Sequence, residues 1–165
     1  MITIAPIQIH QVAAAKQVIA EVAQRIFEPE MSVEEFLTSL DAEHELQDLD
    51  NVQQVYGGPR SIFLVVLDDD RVVGTGALRP FDEQTAELKR LWLFEDYHGQ
   101  RLGYQLVMQL FEFARKVGYG RIYLQTSLQS QRAIGFYKRL GFVEIPAYFE
   151  QPYDDDISMG IDLNT

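Results

Sequence analysis

The chain has 165 residues, 47% hydrophobic and 24% charged, which is the size and composition of one globular domain with a substantial core. Its formal net charge of -11 argues against non-specific binding of nucleic acid or of an anionic membrane, since both need a basic surface; it suits an amine substrate and equally suits plain solubility. The absence of cysteine excludes disulfides, thiolate metal sites and a cysteine nucleophile.

In chain order, residues 2–9 alternate like a strand, and Pro6 places that strand at an edge or irregular end. Residues 11–27 carry Val12, Ile19, Val22 and Ile26 at helical spacing, and the helix stops near Pro29. Ser32 with Glu35 three residues later is a capping-box pattern opening a second helix through about Leu40. The acidic stretch Asp41 to Asp50 reads as a helix end and loop, and Asn51 to Tyr56 as a short helical turn. Residues 61–67 form a buried strand, Asp68 to Asp70 a hairpin turn, and residues 71–78 the partner strand, where Gly74 and Gly76 mark a bulge or close packing.

The next strand spans Ala86 to Phe94. It alternates at first, then becomes continuously apolar at Leu91-Trp92-Leu93-Phe94, which predicts a bulge or burial on both faces. Counting by twos puts Glu87, Lys89 and Leu91 on one face. A helix from about Gln100 to Val117 follows, then a strand from Arg121 to Thr126 and a short helix from about Gln129 to Leu140. Residues 142–149 and 157–161 read as a last strand pair around an acidic loop. The order predicts one α/β domain over residues 1–165, with a mixed central sheet flanked by helices. No apolar run approaches a membrane span and the N-terminus has no basic leader, so the expected location is cytoplasmic.

Two segments carry chemistry. Tyr97-His98-Gly99-Gln100-Arg101-Leu102-Gly103 is a glycine-bearing loop running into a helix, whose free N–H groups and dipole suit a phosphate. Ala133-Ile134-Gly135-Phe136-Tyr137-Lys138-Arg139-Leu140-Gly141-Phe142 is an amphipathic helix with a tyrosine able to give or take a proton. Together they point to a phosphate-bearing cofactor held beside an acid.

With Glu87-Leu88-Lys89-Arg90-Leu91-Trp92-Leu93 ahead of them, these segments resemble the GCN5-related N-acetyltransferase (GNAT) superfamily, with similarity of element order over residues 60–163. The resemblance implies acetyl transfer from acetyl-CoA, as co-substrate, to the amine of a small molecule or amino-acid-like acceptor. It implies that His98, Gly99, Gln100, Arg101, Leu102, Gly103 and Tyr104 cradle the pyrophosphate. Leu91, Trp92 and Leu93 would then meet the pantetheine arm through their backbone, and Ser130 would bond a cofactor amide. Tyr137 would protonate the departing thiolate, and Glu87 would act as base. Homodimers are frequent in the family, so that assembly stays open.

The loop departs from the family pattern. His98 stands where Arg or Gln is usual, Arg101 replaces the first glycine, and Ser130 takes the place of a common asparagine. Arg101 fits the register if its φ is negative. Plainer readings stand beside the functional ones: Tyr137 as a core tyrosine, Glu87 as a solvated strand residue, the Trp92 side chain as core, and Glu28, Glu30 and Glu34 as surface charge. His10 and His44 lack metal-ligand spacing, so no metal is expected. Two rival functions also remain: a catalytically idle acyl-CoA-binding module, and an acetyltransferase acting on protein N-termini or lysines.

Overall fold

The computed structural model describes residues 1–150 and 153–164. Seven strands form one sheet in the order β1-β2-β3-β4-β5-β7-β6. They are β1 (Ile2–Pro6), β2 (Ile62–Asp68), β3 (Arg71–Pro80), β4 (Thr85–Leu93), β5 (Arg121–Ser127), β6 (Val143–Ile145) and β7 (Asp156–Asp162). Every neighbouring pair is antiparallel except β4 and β5, which the intervening helix forces into parallel register.

Helices cover both faces. On one lie α1 (Val12–Phe27), α2 (Val33–Ala42) and the short α3 (Gln47–Asp50) and α4 (Val52–Tyr56); α1, α3 and α4 pack Ala15, Val18, Ile19, Leu49 and Val52 against Phe63, Val65, Val72 and Ala77 of the sheet. On the other lie α5 (Leu102–Lys116) and α6 (Gln131–Leu140), where Leu102, Leu106 and Leu110 of α5 and Tyr137 of α6 share a core with Leu64, Val66, Leu78 and Leu88. Residues of β2 thus alternate between two cores, which is why its run is unbroken in sequence. The Ser32 cap forms as expected, its hydroxyl accepting the Glu35 N–H at 3.1 Å.

Several boundaries differ from the sequence expectation. β1 ends at Pro6, and the chain then makes a 3-10 turn at Ile9–Gln11. The strand expected over 142–149 is only β6; it pairs with β7 as expected, and β7 lies between it and β5.

The bulge lies one residue before the apolar run. Thr75 pairs with Trp92 and Ala77 with Lys89, so Gly76 alone faces both Arg90 and Leu91. Arg90 takes φ 59°, and the Thr75 hydroxyl donates to its carbonyl at 2.7 Å, satisfying a group the ladder has dropped. Gly76 sits at a close approach: a Cβ there would lie 3.1 Å from Leu106 and 3.2 Å from Leu91, tight contacts that those leucines would have to yield to. The extra residue also reverses the parity of the strand. Leu91 and Leu93 turn to the α5 core while Trp92 packs against the α1 side, so Glu87 and Lys89 do not share a face with Leu91 as counting by twos predicts.

Candidate active site

The bulge has a direct consequence for β4 and β5. They pair only from Thr85–Arg121 to Leu88–Leu124, and beyond Leu88 the ladder between them stops. The gap, together with the N-terminal turns of α5 and α6, encloses a cavity of about 940 Å³. That volume falls in the range of ligand sites. Leu91 to Leu93 form one wall and Gln125 to Ser127 the other. Strand edges released from pairing leave backbone donors and acceptors for a ligand to use.

The loop at the floor of this cavity is anchored at three points. The Tyr97 hydroxyl donates to Asp68 at 2.5 Å, tying the loop to the β2–β3 turn. His98 Nε2 lies 3.1 Å from the Leu93 carbonyl oxygen, which can only accept, so Nε2 carries the proton. The other ring nitrogen, Nδ1, is buried without a partner among the described residues. Arg101, the N-cap of α5, has φ 63°, with its guanidinium 4.8 Å from the centre of the Tyr104 ring. This corrects the expectation of a negative φ. Position 101 is the left-handed corner of the loop, the conformation that the glycine usual there adopts freely.

Helix α5 then starts without a side-chain cap, and its first backbone bond runs from the Gln105 N–H to the Arg101 carbonyl at 3.0 Å. The N–H groups of Leu102, Gly103 and Tyr104 therefore stand outside the helical ladder at the cavity floor. A Cβ on Gly103 would lie 3.7 Å from Phe136, an ordinary contact, so packing within the protein leaves room for a side chain there.

Tyr137 is 7% exposed and lines the cavity between the Phe136 and Phe142 rings. Its hydroxyl has no hydrogen-bond partner among the described residues, and burial pushes its pKa well above the ordinary phenol value. It is both the core tyrosine of the plainer reading and part of the cavity wall. Ser130 caps α6 by position but makes no capping hydrogen bond with its side chain.

Of the sequence-predicted residues, Leu91, Trp92, Leu93, His98, Gly99, Arg101, Leu102, Gly103, Tyr104, Ser130 and Tyr137 come together around this one cavity, while Gln100 and Glu87 do not line it. Glu87 is buried nearby, accepting from Arg79 Nε at 2.9 Å and from the Tyr148 hydroxyl at 2.6 Å. It is not a solvated residue, and its ion-pair partner is Arg79. Sequence reasoning missed Arg90, Asp48 and Thr75, which shape the bulge. Asp48 lies in a stretch expected to be loop, 42 residues before its partner Arg90, and no local signal links the two.

The Acetyltransferase (GNAT) family matches residues 21–142. The chain belongs to the GNAT acetyltransferase family. An uncharacterised N-acetyltransferase of Schizosaccharomyces pombe is 29% identical over 140 residues, covering 81% of this GNAT chain and 86% of that protein. An acetyltransferase structure from Streptococcus agalactiae superposes with a TM-score of 0.81 at 23% identity, covering 96% of each chain. The PaiA N-acetyltransferase of Thermoplasma acidophilum, solved in complex with coenzyme A, superposes with a TM-score of 0.77 at 20% identity over 98% of this chain and 99% of that one. Both superpositions show the GNAT fold. Among the described residues no group of three or more metal-ligating side chains occurs, and no helix is long and apolar enough to cross a membrane.

Proposed function

We propose that this GNAT domain, residues 1–165, moves an acetyl group from acetyl-CoA to the amine of a small molecule or amino-acid-like acceptor. The observation carrying this reading is the single cavity that joins the separated β4 and β5, the uncapped start of α5 and the Tyr137 hydroxyl. The free N–H groups at Leu102 to Tyr104 bind the pyrophosphate, helped by the α5 dipole and the Arg101 charge. The unpaired backbone of Leu91 to Leu93 holds the pantetheine arm and orients the thioester. Ser130 offers its hydroxyl to a cofactor amide.

In this reading the chain works mainly by placing reactants and managing protons. The buried Tyr137 phenol stays protonated and gives its proton as the C–S bond breaks. An ordinary thiolate is a weaker base than a phenolate, so the transfer would be uphill in water. The same apolar walls that raise the phenol also raise the thiol, which narrows that gap. Glu87 takes the amine proton through an intervening water, which requires that its bond to Tyr148 loosen during turnover.

The test is a panel of amines and amino acids incubated with acetyl-CoA, reading free thiol. Turnover with at least one small acceptor is expected. Coenzyme A binding without thiol release across the panel would make the protein an idle binding module, and activity confined to peptides would make it a protein acetyltransferase.

A further inference from the structure

A second cavity, of about 690 Å³, lies at the other side of β4. It is lined by Arg79, Lys89 and Arg90 of the sheet and by Glu45, Asp48 and Gln54 from the segment around α3 and α4. Glu45, Lys89 and Arg90 line both cavities, so the two meet at the bulge.

The charges in this second cavity do not balance by pairs. Arg90 is paired with Asp48 at 2.7 Å, and Arg79 with Glu87 at 2.9 Å. Lys89 is left over. Its ammonium makes no hydrogen bond or ion pair with any described residue, although the side chain is half-buried. Burial pulls its pKa down, opposed first by the charge of Glu87. Of the charged groups acting on it, Glu87 and Asp48 are acids and Arg79 and Arg90 are bases, and both acids are already paired with those arginines. Glu45 is exposed to solvent and gives only its backbone carbonyl to Arg90. A desolvated cation without a counter-ion is costly, and it is the more conspicuous in a chain of net charge -11. Arg79 uses only Nε for Glu87, and its terminal N–H groups remain beside the same space.

We propose that this cavity receives a carboxylate borne by the acceptor, with Lys89 as its counter-ion and Arg79 as a second donor. The acceptor is then an amine that also carries a carboxylate, which narrows the acetyl-transfer reading and rests on it for the fate of the amine. The two cavities meet at Lys89 and Arg90, so a carboxylate held at Lys89 leaves the amine of the same small molecule at the mouth of the first cavity. Of the two unpaired charges lining the cavity, Glu45 is exposed to solvent and Lys89 is half-buried, so the charge that gains most from a ligand is the cation, which an anionic group matches and a polyamine does not.

The experiment compares matched triplets, each an amino acid, its carboxamide and the amine without the carboxyl group, for instance phenylalanine, phenylalaninamide and phenethylamine, with β- and γ-amino acids extending the series. Binding is read by calorimetry with and without coenzyme A, and turnover by thiol release. Wild type is expected to favour the carboxylate-bearing member by roughly 10- to 100-fold, the worth of one charge-assisted hydrogen bond. Lys89→Met should erase that preference, with the melting temperature held or raised because an unpaired half-buried cation is removed, and Lys89→Arg should keep it. Equal affinity across each triplet, an intact preference in Lys89→Met, a preference for polyamines, or no binding by any member would overturn the proposal. Carboxylate-selective binding without thiol release would retain the site and refute acetyl transfer; thiol release without carboxylate selectivity would do the reverse.

Discussion

Arg90 reaches from the bulge of β4 to Asp48 on α3, donating Nη2 to Oδ1 at 2.7 Å and Nε to Oδ2 at 3.0 Å. The same carboxylate accepts the Tyr56 hydroxyl at 2.6 Å, and the same guanidinium donates to the Glu45 carbonyl at 2.7 Å. A left-handed, non-glycine residue is thus held by a bidentate pair that only arginine can form. The bulge that separates β4 from β5 is fastened to the opposite layer, and the candidate active site inherits its shape from that fastening.

Asp48→Asn should therefore destabilise the fold at neutral pH by about 3 kcal/mol, the range for breaking a largely buried pair. Burial alone would raise the Asp48 pKa, but the hydrogen bonds and charge of Arg90 outweigh it and hold the carboxyl below its ordinary 3.8. A depressed folded-state pKa gives stability that is complete above the unfolded value and lost as pH falls through the folded one. The melting-temperature difference between wild type and variant should then be full at pH 7 and shrink below about pH 4. A constant difference down to pH 2 would remove the ion pair from the account.

Much of the architecture is readable from residue pattern alone. The helical spacing of Val12, Ile19 and Ile26, the Ser32 cap and the acidic turn at Asp68 to Asp70 are local signals, and each marks an observed element. The bulge at Arg90 is not local: it lies opposite Gly76, where β4 and α5 come close to β3, and that depends on register between strands. Loss of alternation at Leu91 shows that something interrupts the strand without showing where, and a shift of one residue exchanges the faces. Arg101 illustrates the same limit. Its left-handed φ follows from the path between Leu93, fixed by His98, and the start of α5, which the sequence pattern suggests only through the glycine usual there. The partners of Glu87, from β3 and from the segment after β6, come together only in the folded chain.

Arg101→Gly tests whether the loop stores strain. A left-handed residue with a Cβ costs about 1–2 kcal/mol, and glycine's extra freedom in the unfolded chain offsets roughly 0.5–1 of that. Urea unfolding should show the variant more stable by about 0.5–1 kcal/mol. If the guanidinium also meets the pyrophosphate, coenzyme A affinity should fall roughly tenfold in the same variant. Unchanged affinity would assign the phosphate site to the backbone N–H groups alone.

Gly103→Val addresses those N–H groups. The nearest protein atom to a Cβ at this position is 3.7 Å away, so the fold should persist with little change in melting temperature. The new side chain would crowd the start of α5, where the proposed function puts the pyrophosphate. Calorimetry should show at least a tenfold loss of coenzyme A affinity, about 1.4 kcal/mol. A folded variant that binds as wild type does would move the cofactor elsewhere.

Glu87→Gln separates base from strut. It keeps the shape that Arg79 and Tyr148 hold while removing basicity. As a base, Glu87 should show its largest rate loss at low pH, where free amine is scarce, with partial recovery as pH rises. Rates equal to wild type across that range, with a lowered melting temperature, would leave the carboxylate as the link between β3, β4 and Tyr148, and solvent as proton acceptor.

Tyr137→Phe is the sharpest cut, because it removes one oxygen and leaves the ring. The ring packs 5.9 Å from Phe136 and 5.6 Å from Phe142, centre to centre, and these contacts survive the substitution. The hydroxyl has no hydrogen-bond partner to lose among the described residues, so the melting temperature should hold or rise slightly. Coenzyme A affinity should also hold, since the proton is needed only as the thiolate leaves. Turnover should fall roughly 10²–10⁴-fold, the range for a positioned general acid. Burial raises the phenol above its ordinary value of 10.0, so the wild-type rate should show no falling limb from this group at or below about pH 10. A falling limb near pH 8 that disappears in Tyr137→Phe would mean a phenol far more acidic than its apolar surroundings allow. Near-normal turnover in the variant would return Tyr137 to the core and leave the thiolate to be protonated by water.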